Sequence, residues 1–159
     1  AFDKIRNHVL SIAEKYELEA AKATELLPGA VETLKELKKL NLKMAICTTS
    51  SENAADYIVK RFKIDEYFQT VVSRDKVKHV KPSIEQCEAA LKALNVRPKV
   101  ALMVGDSVAD MKSSNELKAV AVGLTTGYST KEELTTAGAN YIITSLTDLP
   151  ILIKEINKN

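Results

Sequence analysis

The sequence predicts an α/β fold in which a parallel sheet is covered by helices on both faces, and three observations carry that prediction. Segments with apolar residues every three or four positions alternate strictly with short continuous apolar runs, the order expected when helices join parallel strands. The apolar runs at 44–47, 100–104 and 119–123 stop abruptly at threonine or glycine, the usual end of a buried strand. Finally, 159 residues with 45% hydrophobic and 28% charged content suffice for one buried core, with no internal repeat or low-complexity tract.

Each element can be justified in turn. Phe2, Ile5, Val9, Ile12 and Tyr16 form the apolar stripe of a first helix, with Lys4, Arg6 and Lys15 outside. A second, shorter helix is expected over 18–26. Pro28-Gly29 restarts the chain, and Val31, Leu34, Leu37 and Leu40 stripe the next helix, with Asn41 suited to a left-handed stop. Residues 44–47 form a strand ending in Thr48-Thr49-Ser50-Ser51. Thr49 and Glu52 have capping-box spacing for a helix carrying Ala54, Ala55, Ile58 and Val59, which leaves Thr48 at the strand tip without a local duty.

A strand over 68–73 contains Val71-Val72. Ser83 and Gln86 then read as the cap of a helix that buries Ile84, Cys87, Leu91 and Leu94. The strand at 100–104 is apolar throughout and is expected to be buried on both faces; a helix from 107 to about 117 follows it. The strand at 119–123, a loop with Gly127, a short helix over 131–137, a strand at 141–143 and a helix over 149–156 that accepts Pro150 in its first turn complete the chain.

Composition excludes several function classes. A net charge of +2, with lysines scattered along helices, offers no nucleic-acid or acidic-membrane footprint. No apolar run approaches the ~18 residues of a membrane span, and no signal peptide is recognisable, so a soluble cytoplasmic protein is expected. Cys47 and Cys87 stand apart in sequence without metal-ligand spacing and are expected to be buried free thiols. His8 and His79 read as surface residues. The absence of an initiator Met suggests that residues precede Ala1.

The chemistry is concentrated where strands meet helices. In Gly105-Asp106-Ser107-Val108-Ala109-Asp110, a capping box accounts for Ser107 and Asp110 but leaves Asp106 unexplained at the carboxyl end of a strand, the position where ligands bind in α/β folds. Thr48 and Lys81, the latter in Lys81-Pro82-Ser83, occupy comparable positions. A hydroxyl, a fixed cation and a carboxylate together suit a phosphoryl group and its Mg²⁺, which prefers hard oxygen ligands. Thr125, Thr126 and Tyr128 are candidates to line the same pocket.

These motifs resemble the haloacid dehalogenase-like (HAD) hydrolases, and more closely their phosphoglycolate-phosphatase-like branch with a small helical cap. Leu27-Pro28-Gly29-Ala30-Val31 with Leu34 and Leu37 resembles the helix before the family's second motif. Ile46-Cys47-Thr48 resembles that motif, Lys81-Pro82 the third, and the Gly105 to Asp110 segment the fourth. Gly123, Gly127-Tyr128 and 137–141 fall where the family has its closing segments. The resemblance implies a Rossmann-like core over 27–159 and a cap remnant over 1–26.

It also implies roles for single residues. Thr48 and Lys81 would act in catalysis; Thr48, Thr49 and Lys81 would bind phosphate, with Thr49 standing where many relatives carry asparagine. Asp106 would ligate Mg²⁺ and Asp110 would support the metal. The implied activity is Mg²⁺-dependent hydrolysis of a small phosphorylated metabolite through an aspartyl-phosphate. Dehalogenation is disfavoured by the 106–110 pattern.

One departure is large. The family's first motif, Asp-x-Asp-x-Thr, occurs nowhere in the 159 residues, and with it go the nucleophile and the general acid. In the family its strand lies between those at 44–47 and 100–104, so the central first strand is expected to be missing here. Three readings follow: a longer protein of which this is part, a strand supplied by a partner, or a catalytically dead remnant. The first is preferred, because Thr48, Lys81, Asp106 and Asp110 are retained together.

On each reading these residues alone are expected to be inactive. The alternative function is a non-catalytic module that binds phosphate or a partner strand, and open strand edges would then favour self-association. A two-component receiver domain is disfavoured because its acidic pair should come early in the chain. A dinucleotide-binding fold would need a glycine fingerprint that is absent.

Overall fold

The fold was analysed as a computed structural model that describes residues 2–158, the side chains of residues 2, 3, 7 and 8 excepted. Helix α1 (Phe2–Ala23) is followed by α2 (Ala30–Lys39), β1 (Ala45–Cys47), α3 (Glu52–Arg61), β2 (Thr70–Val72) and α4 (Glu85–Leu94). Then come β3 (Leu102–Gly105), α5 (Val108–Leu117), β4 (Val120–Leu124), α6 (Lys131–Thr136), β5 (Tyr141–Ile143) and α7 (Leu149–Asn157). The expected α/β alternation is present, and every strand pairing is parallel.

The strands form two separate pieces, β1-β2 and β3-β4-β5. Cys47 stands opposite Val72 in the first piece, and Gly105 opposite Gly123 in the second. Among the described residues no strand bridges β1 and β3, the two strands between which the family's first strand was expected. A cavity of about 770 Å³ has Ala45, Cys47, Leu102, Met103 and Val104 in its wall.

That opening explains one correction. The strand at 100–104 was expected to be buried on both faces, yet every residue of β3 is only half-buried, since it has a neighbour, β4, on one side alone. Val100 lies outside the strand in a short 3-10 turn, Pro98–Val100, and is exposed.

Helices cover both faces of the larger sheet. On one face Leu37 of α2 and Leu149 of α7 pack with Val122, Leu124 and Ile143. On the other, Met111 of α5 and Leu134 of α6 close over Ala121. Met111 and Leu134 are completely buried, and burial of such a side chain contributes ~1.5–3 kcal/mol. A separate cluster of Val59, Ile64 and Tyr67 secures α3 to the β1-β2 piece.

Several local expectations need correction. The stripe Ile5, Val9, Ile12 and Tyr16 faces outward, with Ile5 64% and Tyr16 68% exposed; the opposite side, where Ala21 is buried, packs on α3. Polar anchors select that side. Arg74 pairs with Glu17, whose carboxylate also accepts the Ser51 backbone N–H at 3.1 Å, and Arg61 donates to the Ala21 carbonyl at 3.0 Å. The separate helix expected over 18–26 is the continuation of α1 to Ala23.

The α3 cap is Ser51, whose hydroxyl accepts the Ala54 N–H, rather than Thr49. Ser83 accepts the Glu85 N–H at 3.3 Å as an N-terminal turn residue, but Gln86 turns inward and caps nothing. The left-handed stop at Asn41 is present, with φ 56°.

Candidate phosphate site

The carboxyl ends of β1 and β3 face each other across the opening, and Lys81 reaches between them. Its ammonium donates to the Cys47 carbonyl at the tip of β1, at 2.9 Å, and to Asp110 Oδ1 in the first turn of α5, at 2.6 Å. Both side chains are largely buried, with 12% and 9% of their surfaces exposed. A buried pair of this kind is held only if its remaining hydrogen-bonding capacity is met. Asp110 Oδ2 meets it by accepting from the Ser107 hydroxyl at 2.8 Å and from the Ser107 N–H at 3.2 Å.

The capping box therefore exists as expected, and Asp110 serves both as cap partner and as counter-ion to Lys81. With both carboxylate oxygens engaged, Asp110 is a positioning residue in this arrangement. Asp106 differs. It directly follows β3, is exposed, and its carboxylate has no hydrogen-bond partner among the described residues. The loop after β4 closes on it: the Ser129 N–H donates to the Asp106 carbonyl at 3.2 Å, and a Cβ at Gly127 would lie 2.0 Å from Asp106 Oδ2. Tyr128, next along that loop, is 91% exposed.

Thr48 was expected to lack a local duty, but its hydroxyl accepts the Ser50 N–H at 3.1 Å and so shapes the turn after β1. Its N–H pairs with the Val72 carbonyl at 3.0 Å. Thr49 is exposed, and its carbonyl accepts from Arg74 at 3.4 Å. His79 is exposed, as expected. It pairs with Glu85 and, with its backbone N–H, holds that carboxyl below the usual carboxylate range. The side chain of His8 lies outside the described residues.

Gln86 is the organising residue that sequence reasoning missed. Completely buried, it donates to the Thr48 carbonyl at 2.6 Å and the Val72 carbonyl at 3.1 Å, while Oε1 accepts the Lys81 N–H at 3.2 Å. It thus ties the tips of β1 and β2 to the Lys81 loop. Its spacing from Ser83 near a helix start suits a cap equally well, and no periodicity distinguishes the two roles.

Among the described residues no group of three His, Cys, Asp or Glu side chains converges as a metal site. Mg²⁺ is commonly held by one or two carboxylates, with water and substrate phosphate completing the octahedron. The free Asp106 carboxylate, a hard donor held by the 125–129 loop, fits one such ligand.

Gly105 is required where β3 runs beneath this site. A Cβ there would fall 2.3 Å from Asp110 Oδ2 and 2.4 Å from its Cβ and Cγ. Gly105→Ala should therefore displace the Lys81 counter-ion and destabilise the fold by about 1–3 kcal/mol, as overpacking does. The urea midpoint measures it, and an unchanged midpoint would contradict the close approach.

Fold and site together define a parallel α/β domain with a charged cluster at its strand ends, and comparison with known proteins names the class. The haloacid dehalogenase-like hydrolase profile matches residues 2–123, and the chain belongs to that family. It is 31% identical over 128 residues to the pyrophosphatase PpaX of Bacillus anthracis (strain A0248), a match covering 80% of this chain and 59% of that protein.

Among solved structures, a hydrolase from Pseudomonas syringae is similar at 36% identity and a TM-score of 0.75, over 82% of this chain and 59% of that one. A predicted phosphoglycolate phosphatase from Haemophilus somnus 129PT is similar at 25% identity and a TM-score of 0.76, over 81% and 57%. These matches support the phosphoglycolate-phosphatase-like branch that the motifs resemble. The chain spans about three-fifths of the length of the curated relatives it matches.

Proposed function

We propose that these residues form the phosphate-handling part of a Mg²⁺-dependent phosphohydrolase acting on a small phosphorylated metabolite. The observation that carries this reading is the Lys81 ammonium, held by Asp110 and the Cys47 carbonyl between two strand ends that also bear Thr48 and Asp106. In this reading Lys81 neutralises charge on the phosphoryl group, and Thr48, with Thr49 beside it, donates to phosphoryl oxygens. Asp106 would hold the metal, with Asp110 fixing Lys81 and supporting that side of the site. When bound, Mg²⁺ supplies charge neutralisation at the phosphoryl oxygens.

The chain contains no Asp-x-Asp-x-Thr sequence. We assign the attacking carboxylate, and hence the aspartyl-phosphate, to a strand entering between β1 and β3; the 159 residues alone should be inactive. Residues 1–26 then belong to a cap and 27–159 to the core, in a cytoplasmic protein without nucleic-acid partners. No helix among the described residues is long and apolar enough to cross a membrane.

The test is Mg²⁺-dependent turnover of p-nitrophenyl phosphate by the intact gene product, with Asp106→Asn expected to abolish it. Turnover that is absent, or present and indifferent to Asp106, would sink the proposal. The free edges of β1 and β3 favour a second reading, a non-catalytic module that takes up a strand from a partner or a second copy. Concentration-dependent self-association without Mg²⁺-dependent turnover would select it.

A further inference from the structure

We propose that Gly127 is a positioning residue for the metal ligand: its lack of a side chain leaves the space that the Asp106 carboxylate occupies, and a methyl group there would turn the carboxylate away while the fold stayed intact. The inference rests on the phosphohydrolase reading, in which Asp106 holds Mg²⁺.

A glycine is required either by a left-handed backbone or by a close neighbour. Gly29 and Gly138 have positive φ; Gly127 does not, so its backbone makes no demand for glycine. What remains is space. A Cβ built on Gly127 would have Asp106 atoms as its three nearest neighbours, Oδ2 at 2.0 Å, Cγ at 2.9 Å and Cβ at 3.1 Å.

The loop that carries Gly127 is fixed at both ends. At its start the Thr125 N–H donates to the Ile143 carbonyl of β5 at 3.2 Å. At its end Ser129 is buried, its N–H donates to the Asp106 carbonyl at 3.2 Å, and Thr130 forms a capping box with Glu133 at the start of α6. The Asp106 carboxylate is the part free to yield, since it is exposed and has no hydrogen-bond partner among the described residues. Gly105 is the opposite case: the carboxylate beside it, that of Asp110, is clamped by Lys81 and Ser107 and cannot turn aside. Alanine at 127 should therefore cost the fold little and the ligand geometry much. Mg²⁺ accepts oxygen ligands only in near-ideal octahedral geometry at ~2.0–2.1 Å, so a rotated carboxylate is a poor ligand for it.

The experiment compares the intact gene product with its Gly127→Ala and Asp106→Asn variants. Binding of Mn²⁺, the probe metal, is followed by electron paramagnetic resonance of the free ion, and stability by urea denaturation. Gly127→Ala should keep the wild-type urea midpoint and weaken Mn²⁺ binding roughly 10- to 100-fold, the range for losing a group that orients a metal ligand. The Mg²⁺ concentration for half-maximal turnover of p-nitrophenyl phosphate should rise by the same factor, and excess Mg²⁺ should restore the rate. Unchanged Mn²⁺ affinity in Gly127→Ala, beside binding that Asp106→Asn removes, would overturn this inference and leave the phosphohydrolase reading standing. Wild-type binding that is absent, or indifferent to Asp106→Asn, would overturn both. A Gly127→Ala variant that fails to fold or has a lowered urea midpoint would make the glycine a demand of the fold and overturn the positioning role, as would turnover that excess Mg²⁺ does not restore.

Discussion

Replacing Lys81 with methionine should destabilise the fold by about 3–5 kcal/mol, the range for breaking one half of a buried ion pair. The side chains of Lys81 and Asp110 are 12% and 9% exposed, so water cannot readily replace the lost partner. Asp110 would keep its two contacts with Ser107 but face an apolar chain, and the Cys47 carbonyl would lose its donor. Urea denaturation of K81M, D110L and the double variant separates loss of the pair from loss of packing. The double variant should recover at least ~2 kcal/mol relative to the sum of the single losses, because neither charge is then stranded. Strict additivity would mean that the two groups do not interact as described. The proposed phosphohydrolase function further predicts that K81M removes phosphate-ester turnover from the intact gene product.

Gln86→Leu should cost about 2–4 kcal/mol, on the scale of losing several buried hydrogen bonds at about 1–3 kcal/mol for each stranded group. Leucine is close in size, so the loss is one of polar contacts. The Val72 carbonyl retains the Thr48 N–H, but the Thr48 carbonyl loses the Gln86 amide and the Lys81 N–H loses its side-chain acceptor. Hydrogen exchange should therefore accelerate at the ends of β1 and β2 and in the Lys81 loop before it changes in β4. Gln86→Glu separates size from chemistry. It preserves an acceptor for Lys81 but faces two carbonyls without a donor, and it should be at least as destabilising as leucine. A stability loss below ~0.5 kcal/mol for Gln86→Leu would fall in the range of an ordinary surface site and refute the organising role.

Much of this molecule is legible locally. Asn41 ends α2 through a left-handed turn, Ser107 and Asp110 form the cap that their spacing announces, and Asp106 follows a strand that ends in glycine. The expected break in the sheet also follows from sequence, through the absence of the first motif while the second, third and fourth stand in order. Other features depend on what an element meets. The apolar stripe of α1 predicts an inward face, yet Arg74, Arg61 and the Ser51 N–H, all distant in sequence, engage Glu17 and the backbone on the opposite side.

The sequence by itself determined the alternation of helices and strands, the helix stops and caps around Asn41 and Ser107, and the placing of Thr48 and Asp106 at strand ends, because each rests on periodicity or on residues within one turn of each other. Only the tertiary structure decided that Asp110 pairs with Lys81, and that Gln86 binds two strand ends instead of capping a helix. Those outcomes depend on parallel pairing and helix packing between residues tens of positions apart, where desolvation and hydrogen-bond satisfaction outweigh local propensity.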